Sequence, residues 1–170
     1  MNPGRAGGED RIRGLSGEII GLLVARGDTL AVAESLTGGM LAAALTAIPG
    51  ASAAFRGGVV AYATDLKTAL LGVPADLLER HGAVHPSVAA AMADGARRKL
   101  GAAVGAATTG VAGPDPSDGR PVGTVYIAVG SAGGTFGRQL SLSGDRQEIR
   151  LATVEESLAL LIAVLGEDNI

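Results

Sequence analysis

The chain has 170 residues, a formal net charge of −3 and no cysteine. Its length fits one domain with an ordinary core, and the weak negative charge, with no basic cluster, argues against a nucleic-acid binder. The absence of thiols excludes a disulfide scaffold, a thiolate zinc site and a cysteine nucleophile.

Apolar residues make up 47% of the chain but aromatic ones only 2%, so Ala, Val and Leu must fill the interior. No apolar run approaches the roughly 20 residues of a membrane span. Met1 to Gly8 is Gly-rich and lacks the apolar stretch of a secretion signal. A cytoplasmic protein with a flexible tail over 1–10 and one domain over 11–166 is the expectation.

Arg11 to Arg26 places Ile12, Leu15, Ile19, Leu22 and Leu23 at helical spacing, with Gly27 as the stop. Thr29 to Ala33 reads as a buried strand, and Thr37 to Ile48 as a helix ended by Pro49-Gly50. Gly58 to Tyr62 is a second strand. Thr64 to Leu71 is a short helix capped by Thr64 or Asp65, and Pro74 to Arg80 is another, with Gly82 past its end. Pro86 to Leu100 is an Ala-rich helix closed by Gly101, and Ala103 to Thr108 is a strand that breaks at Thr109-Gly110. A polar loop from Gly113 to Pro121 carries three prolines and two aspartates. Val122 to Val129 and Thr135 to Leu142 flank Gly130 to Gly134 as a hairpin. Gln147 to Leu165 is a terminal helix with Ile149, Leu151, Val154, Leu158, Leu161 and Leu165 on its apolar side. Strands alternating with helices predict a largely parallel sheet covered on both faces and finished by an antiparallel hairpin.

In such sheets ligands gather at the carboxyl ends of the strands. Three segments put distinctive residues there: Glu34-Ser35, Tyr62 with Lys67, and Thr108-Thr109-Gly110. The stretch Ala33-Glu34-Ser35-Leu36-Thr37-Gly38-Gly39 is the most informative. A serine at a strand-to-helix junction, followed by two glycines, sits where unpaired helix N–H groups point outward and can meet an anion or an oxyanion. With no cysteine and two histidines, a serine activated by a lysine is the pairing left for a hydrolase.

Each residue has a structural reading beside the chemical one. Ser35 is a favoured N-cap, although Thr37 offers a second capping hydroxyl that would leave Ser35 free. Lys67 stands on the first turn of a helix, where the dipole opposes a cation. It either faces solvent or lies buried beside Ser35, where desolvation would free its amine to accept a proton. Tyr62 is core with a wet hydroxyl or part of the site, and Thr108 and Thr109 are turn formers or donors to a substrate. Asp115 and Asp118 lack the spacing of an EF-hand. His81 suits a helix C-terminus, and His81 with His85 alone does not make a metal site. Asp145 stands to cap the last helix and Arg146 to reach a phosphate.

AESLTGG, the YATDLK segment, LLGVPADLLERHGAV, TTGVAGPDPSDGRPVGTV and SGDR run in one register from about Leu15 to Leu165. Together they resemble the CinA C-terminal domain family, in its stand-alone form. Enzymatic members of that family are nicotinamide mononucleotide deamidases. The resemblance implies hydrolysis of the carboxamide of nicotinamide mononucleotide to nicotinic acid mononucleotide and ammonia, in pyridine nucleotide recycling. It implies a three-layer α/β/α sandwich with a mixed, mostly parallel five-stranded sheet, a homodimer, a small nucleotide as partner, and no cofactor or metal.

By the same analogy Ser35 is the nucleophile, Lys67 the general base and Tyr62 an assistant. Glu34, Thr37, Gly38, Gly39, Thr109, Gly110 and Arg146 form the implied substrate and oxyanion set, with N–H groups near Thr37, Gly38 and Gly39 meeting the oxyanion. The chain departs from the family pattern at His85 and Thr109, where serine is frequent. Two rivals stand beside this reading: a catalytically silent nucleotide-binding module, and a metal-dependent pyrophosphatase for which Asp115 and Asp118 are thin support.

Overall fold

The apolar run TVYIAVG becomes a strand buried along its whole length, as a segment apolar on both faces requires. Around it, the computed structural model, which describes residues 3–167, gives the following order. Helix α1 (Pro3–Arg26) leads into β1 (Leu30–Glu34), α2 (Met40–Thr46) and β2 (Phe55–Val60). Three helices follow, α3 (Thr64–Leu71), α4 (Ala75–His81) and α5 (Pro86–Lys99). The chain ends with β3 (Val104–Gly110), β4 (Thr124–Ser131), β5 (Gly134–Ser141) and α6 (Arg146–Gly166).

The sheet order is β2-β1-β3-β4-β5. β1 is parallel to both β2 and β3, while β4 is antiparallel to β3 and β5. Four strands therefore run one way and β4 alone runs back. Alternate residues of each strand feed opposite faces. Leu30, Val32, Val104, Ala106, Val125, Ile127 and Val129 pack with α1, α2 and α6. Ala31, Ala33, Ala107, Tyr126 and Ala128 pack with α3 and α5, and α4 adds Leu77 and Leu78 at the margin. The result is the expected α/β/α sandwich with a mixed sheet. No described helix is long and apolar enough to cross a membrane.

Element boundaries shift where the sequence offers no packing signal. α1 begins at Pro3, so residues 3–10 of the segment expected as a tail are helical; residues 1 and 2 lie outside the described residues. Gly7 to Asp10 carry no apolar side chain, and periodicity could not reveal these turns. The cap of α3 is Ala63, with no side-chain bond from Thr64 or Asp65. α6 opens as expected: Asp145 Oδ1 accepts the N–H groups of Gln147 and Glu148, and Glu148 takes the Asp145 N–H in return, a capping box.

Two glycines set how closely α5 lies against its neighbours. A Cβ at Gly95 of α5 would stand 2.1 Å from the Leu71 carbonyl oxygen, and one at Gly105 of β3 would stand 2.0 Å from the Ala93 carbonyl oxygen. Gly→Ala inside a helix ordinarily gains up to about 1 kcal/mol, but overpacking against backbone costs about 1–3 kcal/mol or more. Gly95→Ala is therefore expected to lower stability by about 2 kcal/mol in urea unfolding; a variant as stable as the parent would show that α5 and α3 do not approach this closely.

Candidate active site

Between β1 and α2 the residues Ser35 to Gly39 form a turn, not the first turn of a helix. Gly38 and Gly39 take φ of 57° and 100°, a region strained for any side chain. The helix expected from Thr37 accordingly begins at Met40. Glu34, 1% exposed, caps it from the strand. Its Oε2 accepts the N–H groups of Gly39 and Leu41 at 3.0 Å each, and its Oε1 that of Ala42 at 2.8 Å.

This arrangement corrects several expectations. Ser35 is not the helix cap, and Glu34 is committed to α2 instead of facing a substrate. The Gly39 N–H is taken by Glu34, and the Gly38 N–H closes on the Ser35 carbonyl at 3.1 Å, so neither points at an oxyanion. Thr37 does not cap either; its Oγ1 lies 2.8 Å from Thr108 Oγ1 in the core. Among the described residues, the N–H groups of this turn left without an acceptor are those of Leu36 and Thr37.

Arg150, one helical turn beyond Arg146, holds that turn from outside. Its Nε donates to the Leu36 carbonyl at 2.9 Å and its Nη2 to the Thr37 carbonyl at 3.1 Å. In a trans peptide the N–H points opposite to the preceding carbonyl. Binding the Leu36 carbonyl to α6 therefore turns the Thr37 N–H away from α6. Sequence reading missed Arg150; its one signal was its i+4 relation to Arg146.

Lys67 is 1% exposed although it stands on the first turn of α3. Its Nζ lies 2.8 Å from the Ala61 carbonyl, 3.5 Å from that of Tyr62 and 3.2 Å from Ser35 Oγ. Burial pushes its pKa below the ordinary lysine value, and the charge of Asp118 opposes that shift. A neutral amine has two hydrogens and one lone pair. The two carbonyls can take the hydrogens, the second at the long limit, which leaves the lone pair for the Ser35 hydroxyl.

Ser35, Leu36, Tyr62, Lys67, Thr109, Gly110 and Arg146 line one cavity of about 220 Å³. It opens where β1, β2 and β3 end and α6 begins. Glu34, Thr37, Gly38 and Gly39 shape the turn behind it. Tyr62 touches Lys67 through its main-chain carbonyl, whereas its phenolic oxygen accepts a hydrogen bond from Arg146 Nη2 at 2.8 Å. Arg146 Nη1 also donates to the Gly113 carbonyl at 2.5 Å. Thr109, 1% exposed, spends its hydroxyl on the Ala83 carbonyl at 2.8 Å.

His85 caps α5: its Nδ1 accepts the Ser87 N–H at 3.2 Å. A serine hydroxyl would serve the same position. The ring stacks on His81 with centroids 4.2 Å apart. Burial and the neighbouring His81 and Arg120 lower its pKa, which favours the neutral form that an accepting nitrogen requires.

The model of the CinA C-terminal domain matches residues 13–165. A CinA-like protein of Frankia casuarinae is 52% identical over 166 residues, covering 98% of this chain and 38% of that protein. A putative competence-damage inducible protein of Desulforamulus reducens is 50% identical over 144 residues, covering 84% of this chain and 35% of that protein. The chain thus spans little more than a third of the length of these relatives. Among solved structures, a competence/damage inducible protein from Agrobacterium tumefaciens superposes with a TM-score of 0.88 at 40% identity, covering 92% of this chain and 96% of that one. A CinA superfamily protein from Klebsiella pneumoniae matches with a TM-score of 0.88 at 34% identity, over 92% of this chain and 98% of that one. Strand ends, turn and cavity all lie within the matched residues, and the chain belongs to the CinA C-terminal domain family.

Proposed function

We propose that the chain is a serine–lysine amidohydrolase that converts nicotinamide mononucleotide to nicotinic acid mononucleotide and ammonia. The observation that carries this reading is the 3.2 Å contact of Lys67 Nζ with Ser35 Oγ, made by a lysine shut off from solvent. Neutral Lys67 takes the Ser35 proton as the hydroxyl oxygen attacks the amide carbon. The oxyanion meets the N–H groups of Leu36 and Thr37, not those of Gly38 and Gly39; the loss of one such donor in other enzymes costs about 10²–10³ in rate.

The proton on Lys67 then passes to the amide nitrogen as the C–N bond breaks. This releases ammonia and leaves an ester on Ser35. Water, deprotonated by Lys67, attacks that ester, and the proton returns to Ser35 as the acid departs. Arg146 offers the phosphate a cation at the far side of the cavity, with the Tyr62 hydroxyl beside it. In this reading Tyr62 assists by shaping the phosphate end, since its phenol is held by Arg146.

Ser35→Ala and Lys67→Ala are each expected to lower ammonia release by about 10³-fold or more while the variants remain folded. Near-parental turnover in either removes that residue from the chemistry. If nicotinamide mononucleotide raises the melting temperature of the unaltered protein without ammonia release, the domain is a binding module instead.

Because the neutral amine is the base, kcat/KM should fall about tenfold per pH unit below the Lys67 midpoint. Burial lowers that midpoint, so the neutral form, and with it activity, persists to pH values below the usual lysine range. A rate that stays flat while Lys67 titrates would exclude it as the base.

Arg146→Ala is expected to raise KM for the mononucleotide about 10–100-fold and to leave that for nicotinamide riboside nearly unchanged. Equal losses for both substrates would assign Arg146 to the loop and not to phosphate.

A further inference from the structure

The polar loop between β3 and β4 holds an isolated bridge between Ser117 and Arg120; Arg146 bonds its Gly113 carbonyl, and Asp118 ties down its middle. Asp118 is the one described non-glycine residue with positive φ, 52°. Its Oδ2 accepts the Ala83 N–H at 2.7 Å. Gly82 leaves room for it, since a Cβ there would stand 3.2 Å from the Asp118 carboxylate. The Ala83 carbonyl takes the Thr109 hydroxyl at 2.8 Å. The end of β3, the link from α4 to α5 and the loop are therefore joined through consecutive bonds at Ala83. All three contribute to the cavity that holds Ser35 and Lys67.

We propose that Asp118 is a positioning residue for the Ser35–Lys67 pair, clasping the loop onto the α4–α5 link and fixing a negative charge on the cavity wall that Lys67 shares. The catalytic part of this statement rests on the amidohydrolase reading above. The other ionisable groups on that wall are Asp115 of the same loop, Tyr62 and Arg146. Beside the link stand the stacked His81–His85 pair and Arg120. Among them, Asp118 is the charge that opposes the effect of burial on Lys67.

Two substitutions separate clasp from charge. Asp118→Asn keeps an acceptor oxygen and tolerates the positive φ, while removing the charge. Asp118→Gly suits the same φ and removes both. Lys67 and Lys99 are the only lysines in the chain, so protein labelled with lysine carrying ¹³C at Cε gives two side-chain signals, assigned with Lys99→Arg.

In Asp118→Asn the Lys67 signal should titrate at lower pH than in the parent, and the acid limb of kcat/KM should move with it. KM for nicotinamide mononucleotide should stay within about twofold in Asp118→Asn and rise about tenfold in Asp118→Gly, where the loop is released. Hydrogen exchange at the Ala83 amide should speed up at least about tenfold in Asp118→Gly only. An unmoved Lys67 midpoint in Asp118→Asn, or parental exchange at Ala83 in Asp118→Gly, overturns the proposal. If the unaltered protein hydrolyses no amide, the functional reading fails by itself, and the lysine titration and amide exchange still decide the role of Asp118.

Discussion

The buried carboxylate of Glu34 organises the site. Every α-helix leaves its first N–H groups without intrahelical partners, and ordinarily a side chain at the cap position accepts from one or two of them. Here the acceptor comes from the last residue of β1, whose two oxygens take three N–H groups. Such charged hydrogen bonds away from water are among the stronger ones a protein makes. Two consequences follow in the same turn. Ser35 is released from capping, and the backbone can fold back through Gly38 and Gly39 at positive φ. The hydroxyl that sequence patterns associate with a helix start is thereby turned toward a lysine.

Parallel pairing supplies that lysine. Glu34 and Val60 are register partners in β1 and β2, and the Ala61 N–H continues the ladder to the Glu34 carbonyl at 2.9 Å. The residues just past the two strands are therefore neighbours, although Ser35 and Lys67 are 32 positions apart. Lys67 then reaches back from α3 to the Ala61 carbonyl at 2.8 Å. Its burial disfavours the charged amine, while the carbonyls keep its nitrogen satisfied. A core built from small aliphatic residues lets the helices lie close on the sheet.

The last helix completes the cavity from across the fold. Arg150 grips the turn after Ser35, and Arg146, one turn earlier on the same side of α6, meets Tyr62 and the loop after β3. A single helix start, fixed by the Asp145–Glu148 capping box, thus sets both the backbone beside Ser35 and the cationic end of the cavity. The α4–α5 link is held in turn by His85, Thr109 and Asp118. His85 and Thr109 both have structural roles there.

Much of this was legible in the chain. The order of helices and strands, the final hairpin, the Asp145 cap and the placing of Ser35, Lys67 and Thr109 at strand ends follow from periodicity, caps and turn residues, which act over a few positions. The partners of the polar groups were not. Thr37 pairs with Thr108 across 71 residues, Arg150 with Leu36 across 114, and Ala83 with Asp118 across 35. Residue type and spacing determined which side chains stand at the mouth of the sheet. Only tertiary packing decided that Glu34, and neither Ser35 nor Thr37, caps α2, and that Lys67 is buried, because burial and hydrogen-bond partnership depend on which distant segments the fold brings together.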